Sequence, residues 1–96
     1  MRMLMKIVLP TAAYNRAIQR GDLGPSWKKV FDLCPPEAVY YVGENGQRAV
    51  YAFVAMEAAE QVAAVSLPLF EAFEAEVTLT PAMVFADIEA GIRLVS

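Results

Sequence analysis

The stretch AVYYVGENGQRAVYAFV, residues 38–54, constrains the fold of this chain more than any other segment. Asn45-Gly46 separates two runs that are rich in β-branched and aromatic residues. Both central residues of a type I′ turn need positive φ, which Asn and Gly tolerate best. The sequence therefore predicts a β-hairpin with a two-residue loop.

A two-residue loop determines which residues oppose each other across the hairpin. The predicted pairs are Glu44–Gln47, Val42–Ala49, Tyr40–Tyr51 and Ala38–Phe53. Directly opposed residues share a face of the sheet. We therefore expect Tyr40, Tyr51 and Phe53 to cluster on one face and Tyr41 to point to the other. These rings either pack in a core or line a pocket beside their small alanine neighbours.

The rest of the chain predicts strands and helices around this hairpin. The predicted elements are a buried strand over Met3–Leu9, a helix capped by Thr11 and closed by Gly21, a second helical piece from Ser26 to the prolines at 35–36, the hairpin, a helix over 56–73, a strand over Glu76–Met83 and a short helix over 85–95. Pro68 should split or kink the longest helix, because proline removes a backbone donor. The order β-α-β-β-α-β plus a terminal helix is the ferredoxin-like pattern of an α+β fold.

The apolar content of the chain favours a homodimer. The 96 residues form one domain, 1–96, and 57% of them are hydrophobic, against about 45–50% in typical domains. A four-stranded antiparallel sheet with its helices on one face leaves the other face bare. A second copy that covers this face would bury the excess apolar surface, as in a dimeric α/β barrel.

Several classes of function are disfavoured by composition. The net charge is −3, and Lys28-Lys29 is the one adjacent basic pair, so we expect no nucleic-acid partner. Cys34 is alone and histidine is absent, so we expect no disulfide, metal or catalytic triad. The first ten residues lack a signal-peptide apolar region, and no run is long enough to span a membrane. We expect a cytoplasmic protein without a membrane partner.

With the early strand, the GENGQR hairpin and the segment PLFEAFEAEVTLTPAM, residues 68–83, the chain resembles the dimeric α/β-barrel superfamily. More narrowly, that last segment resembles a group of roughly 90-residue bacterial proteins of unassigned function. The superfamily includes cofactor-free monooxygenases, muconolactone isomerases, haem-degrading enzymes, chlorite dismutases and small stress proteins. Because this chain has no histidine for a proximal haem ligand, we expect no cofactor, although Tyr or Met can ligate haem iron.

The candidate ligand-binding residues are Asn15, Trp27, Tyr40, Tyr51 and Phe53. The resemblance implies the first two, since Asn and Trp on the helices are associated with the substrate pocket of the cofactor-free monooxygenases. The predicted function is binding of a small apolar or aromatic molecule between the sheet and the helices. Two alternatives remain open at this point. One is a non-catalytic structural or stress-associated dimer, and the other is a cofactor-independent monooxygenase or isomerase.

Overall fold

The hairpin forms around Asn45-Gly46 as the sequence predicts. In the computed structural model, which describes residues 1–96, φ is +52° at Asn45 and +77° at Gly46. All four predicted pairs, from Glu44–Gln47 to Ala38–Phe53, oppose each other in the observed register. The first strand of the hairpin also carries a bulge, between Pro36 and Ala38. The turn chemistry therefore determined both the loop and the register.

The eight elements follow one another in the order β-α-α-β-β-α-β-α. They are β1 (Arg2–Leu9), α1 (Thr11–Arg20), α2 (Leu23–Leu33), β2 (Pro36–Glu44), β3 (Gln47–Ala55), α3 (Glu60–Phe73), β4 (Glu76–Pro81) and α4 (Phe85–Val95). The four strands form one antiparallel sheet in the order β2-β3-β1-β4. This is the predicted ferredoxin-like α+β fold, with the first strand of the chain at the centre of the sheet.

The core lies between one face of the sheet and helices α1, α2 and α3. Alternate residues of the two central strands are completely buried, among them Met5 and Ile7 on β1 and Ala52 and Val54 on β3. They pack with buried helix residues, the largest of which is Phe73. Because strand residues alternate between faces, the residues between these buried positions lie on the opposite face, which carries no helix.

The ends of α1 and α2 differ from the prediction. Thr11 is the first residue of α1, and the cap position belongs to Pro10, which has no side-chain acceptor. Gly21 does close α1 in the left-handed conformation, with φ of +75°. Helix α2 begins at Leu23 rather than at Ser26, so that Pro25 lies in its first turn. Proline is accepted there because the amides of the first turn have no intrahelical partner.

Helix α3 runs unbroken through Pro68, so the predicted split is wrong. Pro68 is buried, and Val65, Leu69 and Phe73 beside it are completely inaccessible to solvent. Tertiary packing of an apolar helix face stabilises most protein helices, and here it offsets the missing hydrogen bond. Ser66, two residues before Pro68, is also buried inside the helix.

Helix α4 stands apart from the rest of the molecule. None of its residues is buried, and Met83, predicted to end the preceding strand, is also exposed. The radius of gyration is 15.2 Å, whereas a chain of this length typically has about 12.5 Å. The molecule measures 55 × 28 × 18 Å. We attribute this elongation to α4, which has no buried residue.

Candidate functional site

The helix-free side of the sheet, which we call the open face, consists of three rows of side chains that cross all four strands. The middle row is Tyr40, Tyr51, Lys6 and Thr78, from β2 to β4. The outer rows are Ala38, Phe53, Leu4 and Thr80 on one side and Val42, Ala49, Val8 and Glu76 on the other. The open face therefore has a polar middle row, and the row on either side is apolar on β2, β3 and β1 and polar on β4.

Three side chains of the open face form a hydrogen-bonded cluster. The Tyr51 hydroxyl donates to the Glu44 carboxylate at the end of β2. Lys6 Nζ lies 3.1 Å from the same carboxylate oxygen and 5.2 Å from the centre of the Tyr51 ring. One carboxylate thus holds both the phenol and the ammonium group. The three groups come from three different strands, β2, β3 and β1.

The cluster shifts the pKa values of its members away from their ordinary values. The hydrogen bond from Tyr51, followed by that from Lys6, lowers the pKa of Glu44. The hydrogen bond and the charge of Glu44 raise the pKa of Lys6. The pKa of Tyr51 is raised mainly by the hydrogen bond that its hydroxyl donates to the Glu44 carboxylate, and burial adds to this effect. Near neutral pH the cluster therefore holds an ammonium, a carboxylate and an intact phenol.

The aromatic part of the open face is accessible from solvent. Tyr40 is 58% exposed, and its ring meets the edge of the Phe53 ring at 6.4 Å and 86°. This edge-to-face geometry is a favourable arrangement of two aromatic rings. An exposed, preassembled aromatic surface beside a charged cluster can accept the flat face of a ligand or the surface of another protein.

The structure places the predicted site residues on both sides of the sheet. Tyr40, Tyr51 and Phe53 share the open face, and Tyr41 points to the other face as predicted. Trp27 instead packs on the helix side, where it stacks on Phe31 at 5.5 Å. The five candidates therefore do not line one pocket between the sheet and the helices, and that part of the prediction is corrected.

The space between the sheet and the helices is filled by aliphatic side chains and a group of packed aromatic rings. The ring of Phe73 lies 5.1 Å from Tyr14 and 5.1 Å from Trp27. Trp27 Nε1 donates a hydrogen bond of 3.1 Å to the Tyr14 hydroxyl. Every buried side-chain nitrogen and oxygen has a hydrogen-bond partner. This side of the sheet therefore holds a packed core and no polar group aimed at a ligand.

Asn15 lies at the rim of the helix side. Its side-chain oxygen accepts a hydrogen bond of 3.0 Å from Arg48, and the Arg48 guanidinium lies 5.3 Å from the centre of the Tyr14 ring. The amide of Asn15 therefore helps to hold an arginine over an aromatic ring. A ligand-binding role for Asn15 and for the other four candidates stays a prediction.

Two open clefts lie at the ends of the strands. The larger has a volume of about 520 Å³ and includes Arg2, Glu37, Pro81 and Asp87, and the smaller, of about 330 Å³, is lined mainly by apolar residues around Met1. Arg2 Nε and Glu37 Oε2 are 3.1 Å apart across the larger cleft. No sequence pattern predicts either cleft, since their walls come from distant segments of the chain.

The sequence also left Lys6 and Glu44 without a role. The available signal was a lysine inside an otherwise apolar strand, Met3–Leu9, of which one face turns out to be open.

The remaining titratable groups do not form a further site. No group of three or more acidic or cysteine side chains could hold a metal ion. Burial raises the pKa of the Cys34 thiol, which disfavours the reactive thiolate form.

Comparisons with known proteins identify no family for this chain. No family model and no curated protein matches the chain. Among solved structures, it resembles formyltetrahydrofolate deformylases from Pseudomonas putida KT2440 (14% identity, TM-score 0.49) and Burkholderia mallei ATCC 23344 (16%, TM-score 0.47). Each match covers 84% of this chain and 28% of the deformylase. The designed protein Ferredog-Diesel matches at 9% identity and TM-score 0.47, over 84% of this chain and 85% of its own.

At these identities and TM-scores the matches carry no argument about what this chain does. The chain spans little more than a quarter of the deformylases, so their activity is not transferred to it. None of the helices of this chain has the length and apolar character needed to cross a membrane.

Proposed function

We propose that this chain is a small-molecule-binding homodimer whose ligand lies on the open face, between the sheets of two copies. The observation that carries the proposal is the middle row, in which Tyr40, Tyr51 and Lys6 place polar atoms within an aromatic and aliphatic surface. Ligand sites combine an apolar lining with a few converging polar groups. The open face has both properties.

The cluster supports a ligand of defined chemistry. An ammonium group has three N–H donors, and Glu44 engages Lys6 from one direction. The remaining donors of Lys6 can bind an acceptor oxygen. Because the ammonium and the carboxylate balance each other, the site favours no net charge on the ligand. The ligand class is therefore a neutral planar aromatic molecule with a hydroxyl or carbonyl oxygen.

A second copy is needed to enclose such a ligand. Small-molecule sites typically bury about 70–90% of the ligand surface, whereas a single sheet contacts one side of a flat molecule. Tyr40, 58% exposed in one chain, stands where a second wall would close the site. The same open face of another copy supplies this wall in a twofold dimer.

Titration with 1-naphthol, with naphthalene as the hydrocarbon control, tests the proposal. We expect saturable quenching or enhancement of naphthol fluorescence and tighter binding of naphthol than of naphthalene. The substitutions Lys6→Met and Tyr51→Phe should each weaken naphthol binding about 3- to 10-fold, the usual range for one hydrogen bond. Tyr41→Phe removes the same hydroxyl from the other face and is the matched control.

The proposal also requires a dimer in solution. Size-exclusion chromatography with light scattering at micromolar concentration should give twice the mass of one chain. Saturable binding that is insensitive to both Lys6→Met and Tyr51→Phe would place the ligand elsewhere. Absence of binding up to millimolar naphthol would refute a site for this ligand class.

A second candidate, a non-catalytic structural dimer, is favoured by the filled core on the helix side. Phe73, Trp27 and Tyr14 leave no enclosed cavity there, and every buried polar side-chain atom is paired. This candidate expects the same dimer with no saturable binding of naphthol. The light-scattering and titration experiments together separate it from the first proposal.

A further inference from the structure

Helix α4 carries an apolar stripe that the rest of its own chain leaves exposed. Phe85, Ile88, Ile92 and Val95 recur at the spacing of one helix face. Their exposures are 74%, 41%, 59% and 88%. Residues opposite this stripe, such as Ala90, are small or polar, with the exception of Leu94 near the end of the helix. A helix with one apolar face normally buries that face against another surface.

The connection to β4 sets the direction of α4. Ala82 N donates to Arg2 O at 3.0 Å, which extends the pairing of β4 with β1. Val84 N donates to the Asp87 carboxylate at 3.0 Å, which fixes the first turn of the helix. Met83 alone lies between these two anchored residues. So short a free connection disfavours folding of α4 back onto its own sheet.

We infer that α4 is an arm that packs its apolar stripe against a second copy of this chain. The inference rests on the homodimer proposed above and adds a second contact region to it. In a twofold dimer each chain would extend its own arm and receive the arm of its partner. The open face and the arm would then form one continuous interface.

The area of the interface supports this arrangement. Four strands about 4.8 Å apart, paired over six residues, give the open face a footprint of about 400 Å². Stable interfaces bury about 600–1,000 Å² per partner, so the open face alone is too small. An eleven-residue helix is about 16 Å long and 10 Å wide. Giving one arm and receiving another would bring each chain to about 700 Å².

The charges of α4 favour a protein partner over a lipid surface. Its charged residues are Asp87, Glu89 and Arg93, and the whole chain has a net charge of −3. Helices that lie on membranes carry a polar face rich in Lys and Arg, which anionic headgroups attract. Because α4 has a net negative charge, anionic headgroups do not attract it. Packing of its apolar stripe against a second copy of the chain requires no basic face.

The test compares two substitutions that place the same carboxylate on opposite faces of α4. Ile92→Asp disrupts the stripe, and Ala90→Asp is the matched control on the far side. By light scattering over a dilution series, we expect Ile92→Asp to raise the dimer dissociation constant at least 100-fold, since a twofold dimer carries the change twice. Ala90→Asp should change it less than threefold. Circular dichroism checks that both variants keep their helix content.

A third variant separates this inference from the proposed dimer itself. Val42→Lys places a charge on the open face without touching α4. A dimer that Val42→Lys disrupts and Ile92→Asp leaves intact refutes the arm and keeps the sheet contact. A wild-type chain that is monomeric at 100 µM overturns both the proposed dimer and the arm. A loss of dimer affinity with Ala90→Asp equal to that with Ile92→Asp overturns the arm.

A covalent readout identifies what covers the stripe. Benzoylphenylalanine at position 92 should crosslink two chains under light, and at position 90 it should not. A crosslink within one chain would show that α4 folds back and would refute the arm. Flotation of the wild-type chain with phosphatidylglycerol vesicles, lost in Ile92→Asp, would refute it in favour of a lipid surface.

Discussion

Phe73 should be the most costly side chain of the helix-side core to truncate. It is completely buried at the end of α3, and its ring centre lies 5.1 Å from both Tyr14 and Trp27. Burial of a phenylalanine contributes about 2–3 kcal/mol through transfer from water. A residual cavity on the order of 80 Å³ adds about 2 kcal/mol. We expect Phe73→Ala to lower the free energy of unfolding by about 4 kcal/mol.

The matched control is Phe70→Ala, one turn earlier on the same helix. Phe70 is 48% exposed, so its truncation should cost about 1 kcal/mol or less. Urea unfolding at equilibrium measures both changes, because Trp27 is the single tryptophan and touches the mutated ring. A domain of this size has about 5–14 kcal/mol of stability, so Phe73→Ala should remain measurable. Equal costs for the two variants, or less than about 1.5 kcal/mol for Phe73→Ala, would contradict the packing described here.

Further predictions concern the turn, the cluster and the end of α3. Gly46→Ala should lower the unfolding free energy by about 1–2 kcal/mol, because alanine is strained at positive φ, whereas Gly43→Ala should be nearly neutral in the same urea titration. The pKa of Glu44 lies below its ordinary 4.5, mainly through the Tyr51 hydrogen bond, so this contribution is present above about pH 4.5 and lost as pH falls through the folded pKa. Glu44→Gln should therefore show a smaller fall in stability between pH 6 and pH 3 than wild type does. Glu74 closes α3 with φ of +51°, and Glu74→Gly should raise the melting temperature, with a gain of about 0.5–1 kcal/mol.

The parts of the fold that sequence could predict are those determined by neighbouring residues. The Asn45-Gly46 turn determines the register of the whole hairpin, and Gly21 closes α1 by its own conformational freedom. Both effects act within a few residues. The predicted split at Pro68 is wrong because the local effect of proline opposes a helix, while the burial of α3 against the sheet comes from residues distant in sequence.

The candidate site was predictable in part for the same reason. Alternation separates Tyr41 from Tyr40 and Tyr51 without any knowledge of the fold. Alternation does not say which face the helices cover, and the rings proved to be on the open face. The cluster of Lys6 with Glu44 depends on β1 pairing with β3 across the sheet, a contact between distant segments. The exposure of α4 depends on packing that no local pattern encodes.

The position of β1 has a consequence for how the chain folds during synthesis. Strand Arg2–Leu9 is synthesised before both of its hydrogen-bonding partners, Gln47–Ala55 and Glu76–Pro81. Until those segments emerge, its apolar residues and backbone groups have nothing to pair with. The hairpin can form early because its contacts are local, whereas closure of the sheet around β1 must wait for the last strand. The nascent chain therefore presents an unpaired apolar strand until β4 has been made, and this is the kind of segment that chaperones protect from aggregation.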